Sequence, residues 1–172
     1  MIPIDLSDKT VLLTGCDSPE GRRVAGRFAA AGADLVLQYN KEEKSVRDLA
    51  EQIVRSGGKA EALRADLGQY RDAERLTEEI VKGHRGIDIL VNIFAYHSQV
   101  SFRELTAEQW NDSLQQNLFS VYHISRSVSR HMTERGKGAV VNITSATHFS
   151  GIGGGVDFSA AEAAVHGVTL AM

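Results

Sequence analysis

The sequence predicts a doubly wound, parallel α/β sheet. Short apolar runs alternate with longer amphipathic ones along the whole chain, the strand–helix–strand order that builds such sheets. The runs Val11-Leu12-Leu13 and Ile87-Asp88-Ile89-Leu90-Val91 are nearly continuous in apolar residues, as strands covered on both faces are. Glycine signals close the helical patterns at Ala31-Gly32-Ala33, Ser56-Gly57-Gly58 and Arg135-Gly136-Lys137-Gly138.

Taken in order, strands are expected at Thr10–Thr14, Ala33–Tyr39, Ala60–Ala65, Ile87–Asn92 and Ala139–Thr144. Helices are expected at about Glu20–Ala31, Glu42–Ser56, Tyr70–His84 and Ala107–Glu134, with a last one from about Asp157 onward. The long helix shows its period best: Trp110, Leu114, Leu118, Val121, Ser125, Val128 and Met132 recur at steps of three or four. No repeat, low-complexity tract or linker interrupts the pattern, so residues 1–172 are expected to form a single domain.

Composition narrows the function classes. With 42% apolar residues, 24% charged residues and a net charge of -3, the chain offers no electrostatic case for nucleic acid or an anionic membrane. No apolar run approaches the roughly 18 residues of a membrane span. The start, Met1-Ile2-Pro3-Ile4-Asp5, lacks a secretion signal's basic-then-apolar order, which makes cytoplasmic residence the expectation. One cysteine, Cys16, excludes an internal disulfide, and the six histidines show no metal-ligand spacing, so no metal site is expected.

Two segments carry chemistry. After the first strand comes Thr14-Gly15-Cys16-Asp17-Ser18-Pro19-Glu20-Gly21-Arg22, where glycines precede a helix N-terminus, an arrangement that suits a phosphate. Ser18 and Pro19 also suit an N-cap and first helical residue, so the same residues serve simply to start a helix. Near the other end, Val140-Val141-Asn142-Ile143-Thr144-Ser145 is followed, thirteen residues after Ser145, by Phe158-Ser159-Ala160-Ala161-Glu162-Ala163-Ala164-Val165-His166-Gly167.

These segments resemble the short-chain dehydrogenase/reductase family of classical type, and 3-oxoacyl-ACP reductase-like members among it. The resemblance implies a Rossmann-like dinucleotide-binding domain. It places Thr14, Gly15, Ser18 and Gly21 at the cofactor loop, with Pro19 where the family has its middle glycine. Asp66 matches the family's adenine-contacting Asp, with a turn cap as its alternative role, and Asn92 matches the first residue of N-N-A-G, which continues here as Ile93-Phe94-Ala95. No acid stands at the tip of the second strand, in Leu37-Gln38-Tyr39-Asn40-Lys41, which resembles members that prefer NADP(H) over NAD(H). Pro19 has no N–H to donate, and Asp17 and Glu20 repel phosphate, so weak or lost cofactor binding is the expectation.

Of the family's catalytic residues, Ser145 and Asn117 are in place, while Phe158 stands at the Tyr position and Glu162 at the Lys position. Phe158 cannot transfer a proton, and a carboxylate at 162 reverses the sign of the charge there. His148 and His97 are the weaker candidates for a substitute acid, and Tyr122 with Arg126 has the nearest Tyr-x-x-x-Lys-like spacing but lies on the long helix. Gly151-Ile152-Gly153-Gly154-Gly155 reads as a loop over the substrate region. By resemblance the family continues past this chain's last residue with the rest of the final helix, two strands and a substrate-binding segment. The expected fold is therefore incomplete at its C-terminal edge, with strand five exposed.

Three readings stand at this point. The expected one is a catalytically inactive member retained as a scaffold or partner subunit, in a homo-oligomer or a hetero-oligomer with an active relative. The others are an NAD(P)H-dependent oxidoreductase that reduces a carbonyl with a substitute proton donor, and a decayed or truncated product.

Overall fold

The computed structural model describes residues 4–93, 96 and 100–172. Five strands, β1 (Thr10–Leu13), β2 (Asp34–Tyr39), β3 (Lys59–Arg64), β4 (Ile89–Ile93) and β5 (Ala139–Ile143), form one sheet in the order β3-β2-β1-β4-β5. Every pairing is parallel, with Leu12 opposite Val36 on one side and Leu90 on the other. The chain winds out from β1 to β3, returns, and winds out again from β4, so the sheet is doubly wound as expected.

Alternation along the strands divides the core into two layers. Val11, Leu13, Leu35, Leu37, Val91 and Ile93 point to one face, where α1 (Pro19–Ala30) and α2 (Glu43–Arg55) contribute Ala25, Val46, Ala50 and Ile53. Leu12, Val36 and Leu90 point to the other, against Leu76 and Ile80 of α3 (Tyr70–Gly83) and Ile124, Val128 and Met132 of the long helix. The edge strands differ from the centre: β5 alternates between half-buried and exposed, with Val141 46% and Ile143 41% exposed.

Local chemistry sets the helix limits. Ser18 caps α1 by accepting from the Gly21 N–H at 3.0 Å, with Pro19 in the first turn. Thr106 and Gln109 form a reciprocal capping box at the start of α4 (Ala107–Leu114). Where one continuous helix is expected over Ala107–Glu134, a π-helical turn at Gln115–Phe119 separates α4 from α5 (Ser120–Arg135). A short helix, α6 (Thr147–Ser150), follows β5 and precedes α7 (Val156–Ala171).

Candidate active site

Parallel strands deliver their C-terminal ends to one side of the sheet, and the candidate residues lie there on loops and helices and, for Asn92, in β4 itself. A cleft of about 500 Å³ opens beside Gly15, Asp17 and Ser18 of the first loop, Gln38 of β2 with Asn40, Lys41 and Glu42 after it, Ile93 of β4 with Tyr96 after it, and Asp112 and Gln116 of the long helix. Among these described lining residues, Asp17, Glu42 and Asp112 are acidic and Lys41 alone is basic.

In the first loop, Gly15 has φ 64°, and a Cβ there would overlap the Ile93 carbonyl. A Cβ at Gly21 would lie too close to the Gly15 carbonyl, at 2.4 Å. Both glycines are thus required by backbone approach. The loop's own donors are largely committed. Gly15 N–H donates to the Gln38 side chain at 3.1 Å, Cys16 N–H to the Gln38 carbonyl at 3.2 Å, and Ser18 N–H to the Gly15 carbonyl at 3.1 Å. Gly21 and Arg22 N–H both donate to Ser18. Pro19 has none to give, which leaves the amides of Asp17 and Glu20, each on an acidic residue. Arg23 is paired with Glu20 at 2.9 Å on the surface, and the Arg22 guanidinium reaches the Asp17 carbonyl at 3.4 Å. The Cys16 thiol, fully buried in this loop, is pushed far above the ordinary range by burial and the charge of Asp17.

Thr14 and Asn92 tie the sheet together. The Thr14 hydroxyl lies 3.3 Å from the Asn92 side-chain oxygen and accepts from the Ile93 N–H at 3.3 Å. The Asn92 amide donates to Ser125 of α5 at 3.0 Å and to Asn142 of β5 at 2.8 Å, and Asn142 donates in turn to Thr169 of α7 at 2.8 Å. Asp66 caps its own turn, accepting from Gly68 N–H at 3.1 Å, so the turn-cap role is realised. Phe94, Ala95 and His97 lie outside the described residues.

Asn117 sits on the π-helical turn and is fully buried. Its side chain accepts from the Tyr96 N–H at 3.0 Å and donates to the Tyr96 carbonyl at 2.6 Å, clamping the chain after β4 by both backbone groups.

Ser145 and Glu162 are brought together. The buried Glu162 carboxylate accepts from the Ser145 N–H at 2.7 Å, fastening the end of β5 to α7. Burial raises the Glu162 pKa above the ordinary carboxylate range, against the opposing effects of the Ser145 amide and the charge of His148. The Ser145 hydroxyl accepts from Thr147 N–H at 3.3 Å, and His148 Nδ1 lies 2.6 Å from the Ser145 carbonyl, which assigns the Nδ1 proton to that bond. His148 Nε2 is buried without a hydrogen-bond partner, and its ring packs on Phe149 and His166. Phe158 is 5% exposed, one turn before Glu162 on α7, and packs beneath Gly154 of the glycine loop. Tyr122 is an exposed surface side chain, and Arg126 stacks over Tyr70 at 5.1 Å.

The sequence reading missed Gln38, Ser125 and Asn142. The available signal was a polar residue inside an apolar strand, as in Val36-Leu37-Gln38-Tyr39 and Val140-Val141-Asn142-Ile143, since a buried polar side chain needs a partner. Among the described residues, no helix is long and apolar enough to cross a membrane, and no group of three metal-ligating side chains converges.

Comparison with known proteins matches residues 9–172 to the short chain dehydrogenase family model. General stress protein 39 of Bacillus subtilis is 27% identical over 97% of this chain, and acetoacetyl-CoA reductase of Allochromatium vinosum is 30% identical over 95%. The chain spans 58% of the first and 67% of the second. Among solved structures, a variant of actinorhodin polyketide ketoreductase with NADPH superposes with a TM-score of 0.89 at 28% identity, covering 97% of this chain and 65% of that one. A dehydrogenase/reductase from Sinorhizobium meliloti gives 0.88 at 28% identity, covering 96% and 66%.

Proposed function

Because the chain belongs to the short-chain dehydrogenase family, we propose that it is a member that keeps the fold without the reductase chemistry and serves as a scaffold or partner subunit. The observation that carries this reading is the bond from Ser145 N–H to Glu162. At the position where the family's Lys would supply a cation, a carboxyl side chain is buried and engaged in holding the loop. Phe158 one turn earlier has no proton to transfer, and loss of a positioned acid–base group costs about 10²–10⁴ in rate.

The loop after β1 supports the same conclusion. A dinucleotide's diphosphate needs free amides at a helix N-terminus. Here Gly15, Cys16 and Ser18 donate within the protein, Pro19 donates nothing, and the remaining amides belong to Asp17 and Glu20. These groups do not fit a diphosphate. NADP(H) is the preferred cofactor by resemblance, and its binding here is weak or lost. Titrating the purified chain with NADPH and following cofactor fluorescence tests this: no saturable binding is expected in the micromolar range. Saturable micromolar binding would sink the reading.

A second reading rests on Glu162 itself. Burial keeps its carboxyl protonated to higher pH than usual, as a proton donor beside Ser145 requires. The chain would then be an NADP(H)-dependent oxidoreductase with a substitute acid, and micromolar NADPH binding accompanied by carbonyl-dependent NADPH consumption would favour it.

A partner face is available on α5. Phe119 and Tyr122 are 41% and 45% exposed and gather with Tyr70, His123 and Arg126 into one aromatic patch. Aromatic residues and Arg are enriched in protein interfaces. Pairing through this patch, with a second copy or an active relative, is expected to give a dimer mass in native mass spectrometry that Tyr122→Glu abolishes. A wild-type chain that stays monomeric, alone and mixed with an active relative, would overturn the pairing.

A further inference from the structure

At the opposite end of the sheet from the cleft, His84 closes α3 as its C-cap residue, its N–H donating to the Ile80 carbonyl at 2.8 Å. Its side chain, 15% exposed, lies between two carboxylates. Nδ1 is 3.1 Å from Asp34, the first residue of β2, and Nε2 is 2.7 Å from Glu61 in the middle of β3. Both contacts are within hydrogen-bond reach, yet a neutral imidazole carries a single N–H. Only the imidazolium can donate to both carboxylates. In the neutral ring one nitrogen lone pair would face a carboxylate oxygen, and one of the two ties would fail.

We propose that His84 is a proton-dependent clamp that holds β2 and the edge strand β3 to the end of α3 and loosens that hold when its imidazole is neutral. The position favours the cation in a second way, since the negative end of the α3 dipole lies at its C-terminus. The other charges at this end divide. Asp8 of the N-terminal segment supports protonation, while Lys9, Lys59 of β3 and Arg85 oppose it, all lining one depression of about 310 Å³ with His84. Lys82 in the last turn of α3 is paired with Glu78, and Arg55 of α2, on the far side of Glu61, with Glu51.

Burial opposes the charge, but the bonds to Glu61 and Asp34 and their charges outweigh it, and the His84 pKa is raised above its ordinary 6.5. A histidine with a raised folded-state pKa contributes stability that is fully present below its unfolded value and is lost as pH rises through the folded one. Partial exposure of Asp34 and Glu61 screens the effect, which is why the clamp is a modest, tunable one.

The test is an NMR titration of the His84 ring together with urea denaturation at pH 6 and pH 8.5. The wild-type ring is expected to titrate above 6.5, Glu61→Gln to move it downward, and His84→Gln to remove part of the wild-type loss of stability between the two pH values. Amide protection over Lys59–Arg64 is expected to fall with the same midpoint. A ring that titrates at or below 6.5, or a midpoint unmoved by Glu61→Gln, overturns the proposal. So does a His84→Gln chain that keeps the full wild-type pH step. Should His84→Gln fail to fold, the ring titration in the wild type and in Glu61→Gln decides alone.

Discussion

Replacing Glu162 by Ala is expected to lower stability by about 1–3 kcal/mol, while replacing it by Gln leaves stability nearly unchanged or raises it at neutral pH. The contrast follows from what the side chain does. Its carboxylate is the acceptor for the Ser145 N–H, and Ala would leave that part-buried donor without its partner. Gln keeps an acceptor oxygen at the same reach and carries no charge. The native carboxyl pays for its burial, as its raised pKa records. An acid whose folded pKa is raised binds its proton more tightly folded than unfolded, so its contribution to stability is complete at low pH and is lost as pH rises through the raised value. Between the ordinary carboxylate value and the raised one the wild type should therefore lose stability that Glu162→Gln does not. Urea denaturation of the three chains from pH 4.5 to 8 measures this directly. A Glu162→Ala chain as stable as the wild type would mean that the bond to Ser145 holds nothing.

This prediction also separates two meanings of a changed active-site residue. If Glu162 had merely drifted, its carboxylate would be free to turn to solvent, where it costs nothing. Instead it is buried, bonded to the backbone of Ser145, and flanked by Phe158 under the glycine loop. The side chain is part of the packed interior where α7 meets the end of β5. Asn117 makes the same point from the other side, since both ends of its amide are taken by the Tyr96 backbone. Ser145 and Asn117 persist in sequence, and in this chain each has structural work to do.

Most of the fold was legible because it rests on periodic patterns. The runs around Leu12, Val36 and Leu90 announce central strands, since their neighbours Leu13, Leu37 and Val91 are apolar as well and serve the opposite layer. The break in the long helix was not legible. The turn carries a single buried amide, Asn117, which donates to the Ser113 carbonyl, and the apolar spacing runs through it with little disturbance. The site divides in the same way. Of the cleft lining, Gly15 and Ser18 follow from motif spacing, but their partners do not. Gln38, which takes the Gly15 amide, is a residue of β2 separated from the loop by all of α1. A bond between residues 23 apart is a property of the sheet's strand order and leaves no local signature. Asp66 caps its turn in the way any Asp at such a position does, a role that needs no motif to be read.

Gly15→Val is expected to be among the most damaging single changes in the chain, at about 3 kcal/mol or more. The backbone at Gly15 has φ 64°, a conformation that a β-branched residue adopts only under strain of about 1–3 kcal/mol. A Cβ would in addition overlap the Ile93 carbonyl at the end of β4, so the first loop and β4 would have to part, taking with them the Thr14 and Asn92 ties. Against a total stability of about 5–15 kcal/mol for a domain, that loss is large. Gly26→Ala is the matched control: it lies inside α1 with nothing within 4 Å of its Cβ, and it should gain roughly 0.5–1 kcal/mol. Both are read by thermal or urea denaturation of the chain with no nucleotide added. A large cost for Gly15→Val under those conditions assigns this glycine to the packing of β1 against β4, independently of any ligand. A Gly15→Val chain that folds with wild-type stability would return the glycine to the ligand, and with it the expectation that the loop still binds one.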